Sequence, residues 1–349
     1  VKGKKSLGGF FASFTGLALT LILSFGLVVV LILFLSKTPG ATIYAFFIGP
    51  FTNKYYFGNM LNVAVPLVFT GLGMAVAFKS SVFNLGGEGQ TYAGGLAVTV
   101  VCLALPVANG ILGGLLAIAA AAVLSGTIAG LSGYFKMKWN ADEMISSFLV
   151  SSALMLIVNY FITGPLDDPN NNMLASLPLA KQYGMLGLFP PSKLNISAFF
   201  AIAGAVIVFL FMNRSHVGYE MRMCGLNREF ARYGGINVSK YLVLPMILSG
   251  ALHGIGGGLM VLGTYHVLYE GFSFGMGWNG IAVALIAKNN PLGVLPAALL
   301  FAYLDAGAKS AMLNGDVTFE IASIAQSFIF YFVTAQALYG LAHKRRRVA

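Results

Sequence analysis

Three stretches concentrate the side chains able to bind or contact something. In 83–90, FNLGGEGQ, Asn84, Glu88 and Gln90 set two amides and a carboxylate among Gly86, Gly87 and Gly89. Amides and carboxylates recognise polar solutes, and neighbouring glycines allow close backbone approach. In 272–279, Phe272, Phe274 and Trp278 offer ring faces and Asn279 an amide. In 219–236, Glu220, Arg222, Arg228, Glu229 and Arg232 alternate with Met223, Leu226, Phe230 and Tyr233. Helical spacing puts those last four on one face, as in a helix that lies on a membrane surface or seats in a partner's groove.

The elements that carry these stretches are apolar. The chain has 349 residues, 58% hydrophobic and 9% charged, against about 25% charged in soluble domains. Its mean hydropathy is +0.82, so the bilayer is the solvent for most of it. Glycine is abundant, at 43 residues, as where helices pack closely in lipid. The net charge of +10 reports membrane topology rather than nucleic-acid binding, because Lys and Arg fall at the ends of apolar runs. Cys102 lies in an apolar run and Cys224 in a charged one, so no disulfide is expected. The chain carries no GxxxxGK[ST], HExxH or CxxC, which removes a nucleotide loop and the common zinc motifs.

Hydropathy predicts an all-α polytopic protein of about ten spans, at 10–35, 59–78, 91–107, 111–135, 144–163, 196–212, 238–262, 277–287, 292–308 and 321–341. Lys2, Lys4 and Lys5 precede the first run, which is longer than a signal peptide's and is read as retained. The short run 277–287 suggests a broken or re-entrant segment, and the glycine-rich 83–90 another. A cytoplasmic N-terminus places sixteen of the 21 Lys and Arg inside, including 344–347, and puts 219–236 and 136–143 in the cytoplasm. The expected organisation is one transmembrane domain over 1–349, with pseudo-repeat halves of roughly 1–163 and 196–341. An external loop, 164–195, joins them. Gly250, Gly254 and Gly258, and likewise Ala122, Gly126 and Gly130, recur at four-residue spacing as in close or sliding helix seams.

Within this frame 83–90 resembles the FNIGxEGQ signature of ABC importer permease subunits, in the simple-sugar, branched-chain amino acid and nucleoside family. The likeness is strongest to its nucleoside-type branch. The stretch 140–147, NADEMISS, is similar to that family's NEVIST; Leu149, Val150 and Ser151 then stand where it has Met-Leu-Asn. The stretch 222–258 resembles RAxGxNxxAAxxxGI followed by SGALAGxxG, with Met223, Glu229 and His253 departing from alanines. The stretch 277–293 is similar to GFDGIAVALLGRNxPxG, with Asn279 at a frequent aspartate.

The resemblance implies a permease subunit of an inner-membrane importer, with no cofactor of its own. ATP and Mg are held by two partner ATP-binding subunits. A second permease, the same chain or a related one, completes the path, and an extracytoplasmic solute-binding protein or lipoprotein delivers the solute. Nucleic acid is not a partner. It assigns Asn84, Glu88, Gln90, Phe272, Phe274, Trp278 and Asn279 to the solute path. It assigns Glu220, Arg222, Gly225, Asn227, Arg228, Phe230, Tyr233 and, more weakly, Glu143 to ATPase coupling. A nucleoside is the favoured solute, with a simple sugar or riboflavin as alternatives. An ion-coupled carrier would rest on His253 and Asp305, a thin set for an ion pathway. A membrane enzyme has no assembled nucleophile, metal set or acid–base pair.

Overall fold

The computed structural model describes residues 22–105, 109–321 and 323–332. The first and last expected spans are therefore described only in part. The basic residues at 2, 4, 5 and 344–347, on which the placing of the termini rests, lie outside the described residues.

Every regular element described is a helix. In order they are α1 (Ile22–Leu35), α2 (Pro39–Phe47), α3 (Lys54–Lys79), α4 (Gly87–Ala104), α5 (Gly110–Trp139), α6 (Glu143–Thr163), α7 (Ser197–Arg214), α8 (His216–Leu226), α9 (Arg228–Tyr233), α10 (Lys240–Met260), α11 (Met276–Ile286), α12 (Pro291–Asn314) and α13 (Ser323–Phe332). A π-turn, Val261–Tyr265, prolongs α10. Among the described residues, six helices are long and apolar enough to cross a bilayer: α3, α5, α6, α7, α10 with its π-turn, and α12. Helix α4 starts at Gly87, four residues ahead of the expected span, because polar Glu88 and Gln90 are taken into its first turn. Helix α11 has only 11 residues, or about 16 Å, roughly half the hydrocarbon thickness.

The chain forms two compact units. One comprises Val1–Met60 and Leu300–Ala349, the other Leu61–Leu299. In the first, Asp316 accepts hydrogen bonds from Ser36 Oγ and Lys37 N, both at 2.5 Å, and so fastens the start of α2 to the turn after α12. Tyr303 donates to Phe47 O at 3.0 Å and stacks on Phe51.

The second unit is built around the seam between α10 and α5, where Gly250 and Gly254 meet Ser125, Ala129 and Ala121. Helix α4 closes on the same seam, and Ser125 Oγ donates to Gln90 O at 2.8 Å. The best apolar windows of α5, α6 and α7 are only 28%, 22% and 28% buried. Leu115, Leu156, Phe199 and Ile207 point outward from them, as side chains facing lipid do. The long connection 164–195 folds back as an extended ribbon on 266–270. Ser176 N donates to Leu268 O (2.7 Å), Leu179 N to His266 O (2.8 Å) and Glu270 N to Leu174 O (3.1 Å). Asn195 Nδ2 donates to Gly263 O at 2.7 Å, satisfying a carbonyl in the π-turn.

A side chain at position 254 has no room, since its Cβ would lie 2.5 Å from Ala121 O and 2.4 Å from Ser125 Oγ. Gly254→Val should destabilise the purified protein by about 1–3 kcal/mol, seen as a lower melting temperature in detergent. Gly187→Ala, where nothing lies within 4 Å of the added Cβ, should leave it unchanged.

Candidate solute path and coupling surface

The polar stretch 83–90 links the end of α3 to the start of α4. Gly87 packs against the ring of His253, about 20 Å along α10 from Lys240. The chain therefore climbs beside α10 before α4 begins. Asn84, fully buried, donates to Gln90 Oε1 (2.8 Å) and Ser249 Oγ (2.9 Å), and accepts from Gln90 Nε2 (2.9 Å) and Gly86 N (2.9 Å). Its donors and acceptor sites are filled, so in this conformation the Asn84–Gln90 pair shapes the turn. Two α6 serines finish the job. Ser147 Oγ accepts from Leu85 N (3.0 Å) and Ser151 Oγ from Gly89 N (2.8 Å). Ser151 is the residue standing where the resembled family carries asparagine.

Helix α11 begins against the same point, reached from the end of α10 through 266–275. Glu88, 3% exposed, accepts from Gly277 N at 2.8 Å and from Ser273 Oγ. A Cβ on Gly277 would lie 2.4 Å from Glu88 N, so only glycine lets the two helix starts touch. Both helices present unpaired N–H groups and a partial positive charge there, and the Glu88 carboxylate answers both. The first two polar stretches read from the sequence thus converge, with Asn84, Glu88 and Gln90 turned into the protein.

Ser147, Ser151, Ser249 and Ser273 were missed in the sequence reading. Their only signal is spacing: Ser147 and Ser151 lie one turn apart on α6. His253 is also fully buried. Its Nδ1 lies 2.8 Å from Ser249 O; because a carbonyl only accepts, Nδ1 carries the proton. Its Nε2 has no partner among the described residues. Asp305 pairs with Lys309 at 2.7 Å, one turn away in α12.

The aromatic residues separate into two groups. Phe272 is fully buried and packs on Tyr92 at 5.1 Å between centroids. Phe274 is 65% exposed and adopts a left-handed backbone, φ 48°. Trp278 is partly exposed and lies 5.9 Å from Phe148 of α6. Asn279 is half-buried.

The charged stretch is two helices rather than one. Asn227 leaves the helical region (φ −159°, ψ 110°) and caps α9 by accepting from Phe230 N at 3.0 Å. The expected four-residue face is thereby bent. Leu226, Phe230 and Tyr233 are exposed, whereas Met223 is half-buried. The pair of helices is docked on the end of α3. Ser81 Oγ donates to Gly225 O (2.6 Å) and Arg228 Nη2 to Ser81 O (2.7 Å). A Cβ on Gly225 would lie 2.1 Å from Lys79 O. Glu220 accepts from the Tyr241 hydroxyl and has His216 at 3.8 Å. Arg222 Nε donates to Gly218 O at 3.3 Å. Glu143 is buried and pairs with Lys136 at 3.1 Å, joining α5 to α6. Of the residues assigned to coupling, only Phe230 and Tyr233 are large, exposed apolar groups.

These features define a multi-pass helical membrane protein with two helix starts meeting inside it and a charged helix pair bound to the segment that leads there. The chain belongs to the branched-chain amino acid transport system / permease component family, whose model matches residues 56–334. It is 33% identical to a protein named as a probable riboflavin import permease of Treponema pallidum, over 86% of this chain and 80% of that one. It is 31% identical to a guanosine ABC transporter permease of Bacillus subtilis, over 91% and 92%. It is 28% identical to a nucleoside ABC transporter permease of Lactococcus lactis, over 80% and 79%.

Glu88→Ala should leave Gly277 N and Ser273 Oγ without an acceptor. It should cost about 1–3 kcal/mol, measured as a fall in melting temperature. Glu88→Gln, which keeps one acceptor oxygen, should cost less.

Proposed function

We propose that this chain is the membrane permease of an ATP-driven importer of a nucleoside, in the inner membrane of a bacterium. The observation that carries the reading is the bonded route from the charged helices to the polar turn. It runs from Arg228 and Gly225 through Ser81 to the segment holding Asn84 and Glu88. In this reading α8 and α9 are cytoplasmic, as are both termini. Exposed Leu226, Phe230 and Tyr233 seat in a cleft of an ATP-binding subunit, and Arg232 holds its rim. Two such subunits carry ATP and Mg. A second permease completes the path, and an external binding protein or lipoprotein supplies solute on the side of 164–195. The start of α4 in one half and of α11 in the other act as a pair of re-entrant segments.

Two named relatives handle guanosine and nucleosides, and the exposed rings of Phe274 and Trp278 suit a flat solute. Riboflavin, also a flat ring with a polyol chain, is the second reading, supported by the 33% identical relative.

Cells making the importer should take up labelled guanosine, and uptake should stop when ATP is depleted with ion gradients maintained. Uptake that persists without ATP would sink the proposal. Arg232→Glu combined with Phe230→Ala should leave the permease folded and abolish co-purification of the ATP-binding subunits. Trp278→Ala should lower guanosine uptake about tenfold, equivalent to about 1.4 kcal/mol, at unchanged membrane abundance; equal loss of both would assign Trp278 to packing.

A further inference from the structure

Helical spacing puts Phe148, Ser152, Met155 and Asn159 on one stripe of α6. The stripe runs beside 269–278. Phe148 lies against Trp278, and Asn159 Nδ2 donates to Glu270 Oε1 at 3.3 Å. Glu270 is exposed, and among the described residues no cation lies within 4 Å of its carboxylate. The stripe therefore ends beside an exposed carboxylate, next to the ring of Phe274. The Asn159 amide has one orientation available, because turning it would set its oxygen against the carboxylate. Held that way, Asn159 Oδ1 is buried and has no hydrogen-bond donor among the described residues. Beside this pair the chain adopts three left-handed residues, Gly271 (φ 79°), Phe274 (φ 48°) and Gly275 (φ 74°). A bulky residue rarely takes that conformation and keeps it only where its surroundings hold it there. Here it presents the Phe274 ring to the outside, 6.4 Å from Tyr269.

We propose that Glu270 is the group that reads the solute, with Asn159 as its positioning residue and Phe274 as the stacking face. A carboxylate only accepts, and it takes two parallel donors best. The solute it suits is a ring compound bearing two adjacent N–H or O–H donors, on the edge of a guanine-like base or as a vicinal diol. This rests on the importer reading and adds the recognition chemistry to it.

The test is uptake of tritiated guanosine by cells producing the whole importer, with unlabelled guanosine, inosine or 2′,3′-dideoxyguanosine as competitors. Glu270→Gln should lower uptake about tenfold at equal membrane abundance. In the unaltered importer, one competitor should be about tenfold weaker than guanosine: inosine if the base edge is read, dideoxyguanosine if the diol is. Glu270→Gln should erase that difference. Asn159→Leu should raise the half-saturating guanosine concentration and leave the maximal rate unchanged. If Glu270→Gln fails to accumulate, Glu270→Asp, which keeps the charge and moves it by one methylene, should show the same loss of discrimination. Unchanged uptake in the variant, or equal competition by all three nucleosides in both proteins, overturns the assignment of Glu270 and leaves the importer reading standing. Absence of ATP-dependent uptake of guanosine and riboflavin by the unaltered importer overturns both.

Discussion

The interior of the larger unit depends on one carboxylate between two helix starts. Helices α4 and α11 meet end to end at Glu88 and Gly277, where each presents N–H groups with no partner in its own helix. Away from water such groups are costly to leave unpaired, and two positive helix ends side by side repel. Glu88 lies in α4 and reaches the first turn of α11, so one side chain answers both problems. The glycines follow from this. Any side chain at 277 would push the helices apart and separate the carboxylate from its donors.

The surroundings of that contact are polar but closed. Asn84, Gln90, Ser147, Ser151 and Ser249 hold the turn before α4 by exchanging hydrogen bonds with one another and with backbone N–H groups. Ser81 stands at the other end of the same turn, bonded to Gly225 and Arg228. The pair α8 and α9 is thus joined by hydrogen bonds to backbone a few residues from Asn84.

Much of this was legible in the sequence, and what was missed has physical causes. Hydropathy located the long helices because each is a continuous apolar run. It misplaced the start of α4 because Glu88 and Gln90 read as loop residues until their partners, Ser273 and Asn84, are known. The stretch 219–236 showed a single helical stripe, yet Asn227 ends one helix and caps the next, and its side-chain bond to Phe230 N leaves no trace in a periodicity. Phe272, Phe274 and Trp278 were grouped by proximity in the chain. The left-handed turn at Phe274 sends its ring outward while Phe272 goes into the core. Glu270 and Asn159 were not singled out at all, since 111 residues separate them.

The ribbon 164–195 holds 266–270 mainly through peptide groups: Ser176 N, Leu179 N and Glu270 N each donate to a carbonyl across the gap, and one buried side chain, Ser176, accepts from Leu268 N. Most of this pairing is indifferent to which side chains the ribbon carries. Its outward residues, among them Met173, Leu174 and Leu186, are thus released from structural duty. Side chains at these positions can be exchanged without breaking a bond of the pairing, so the segment beneath, which leads to the Glu88 contact, keeps its geometry.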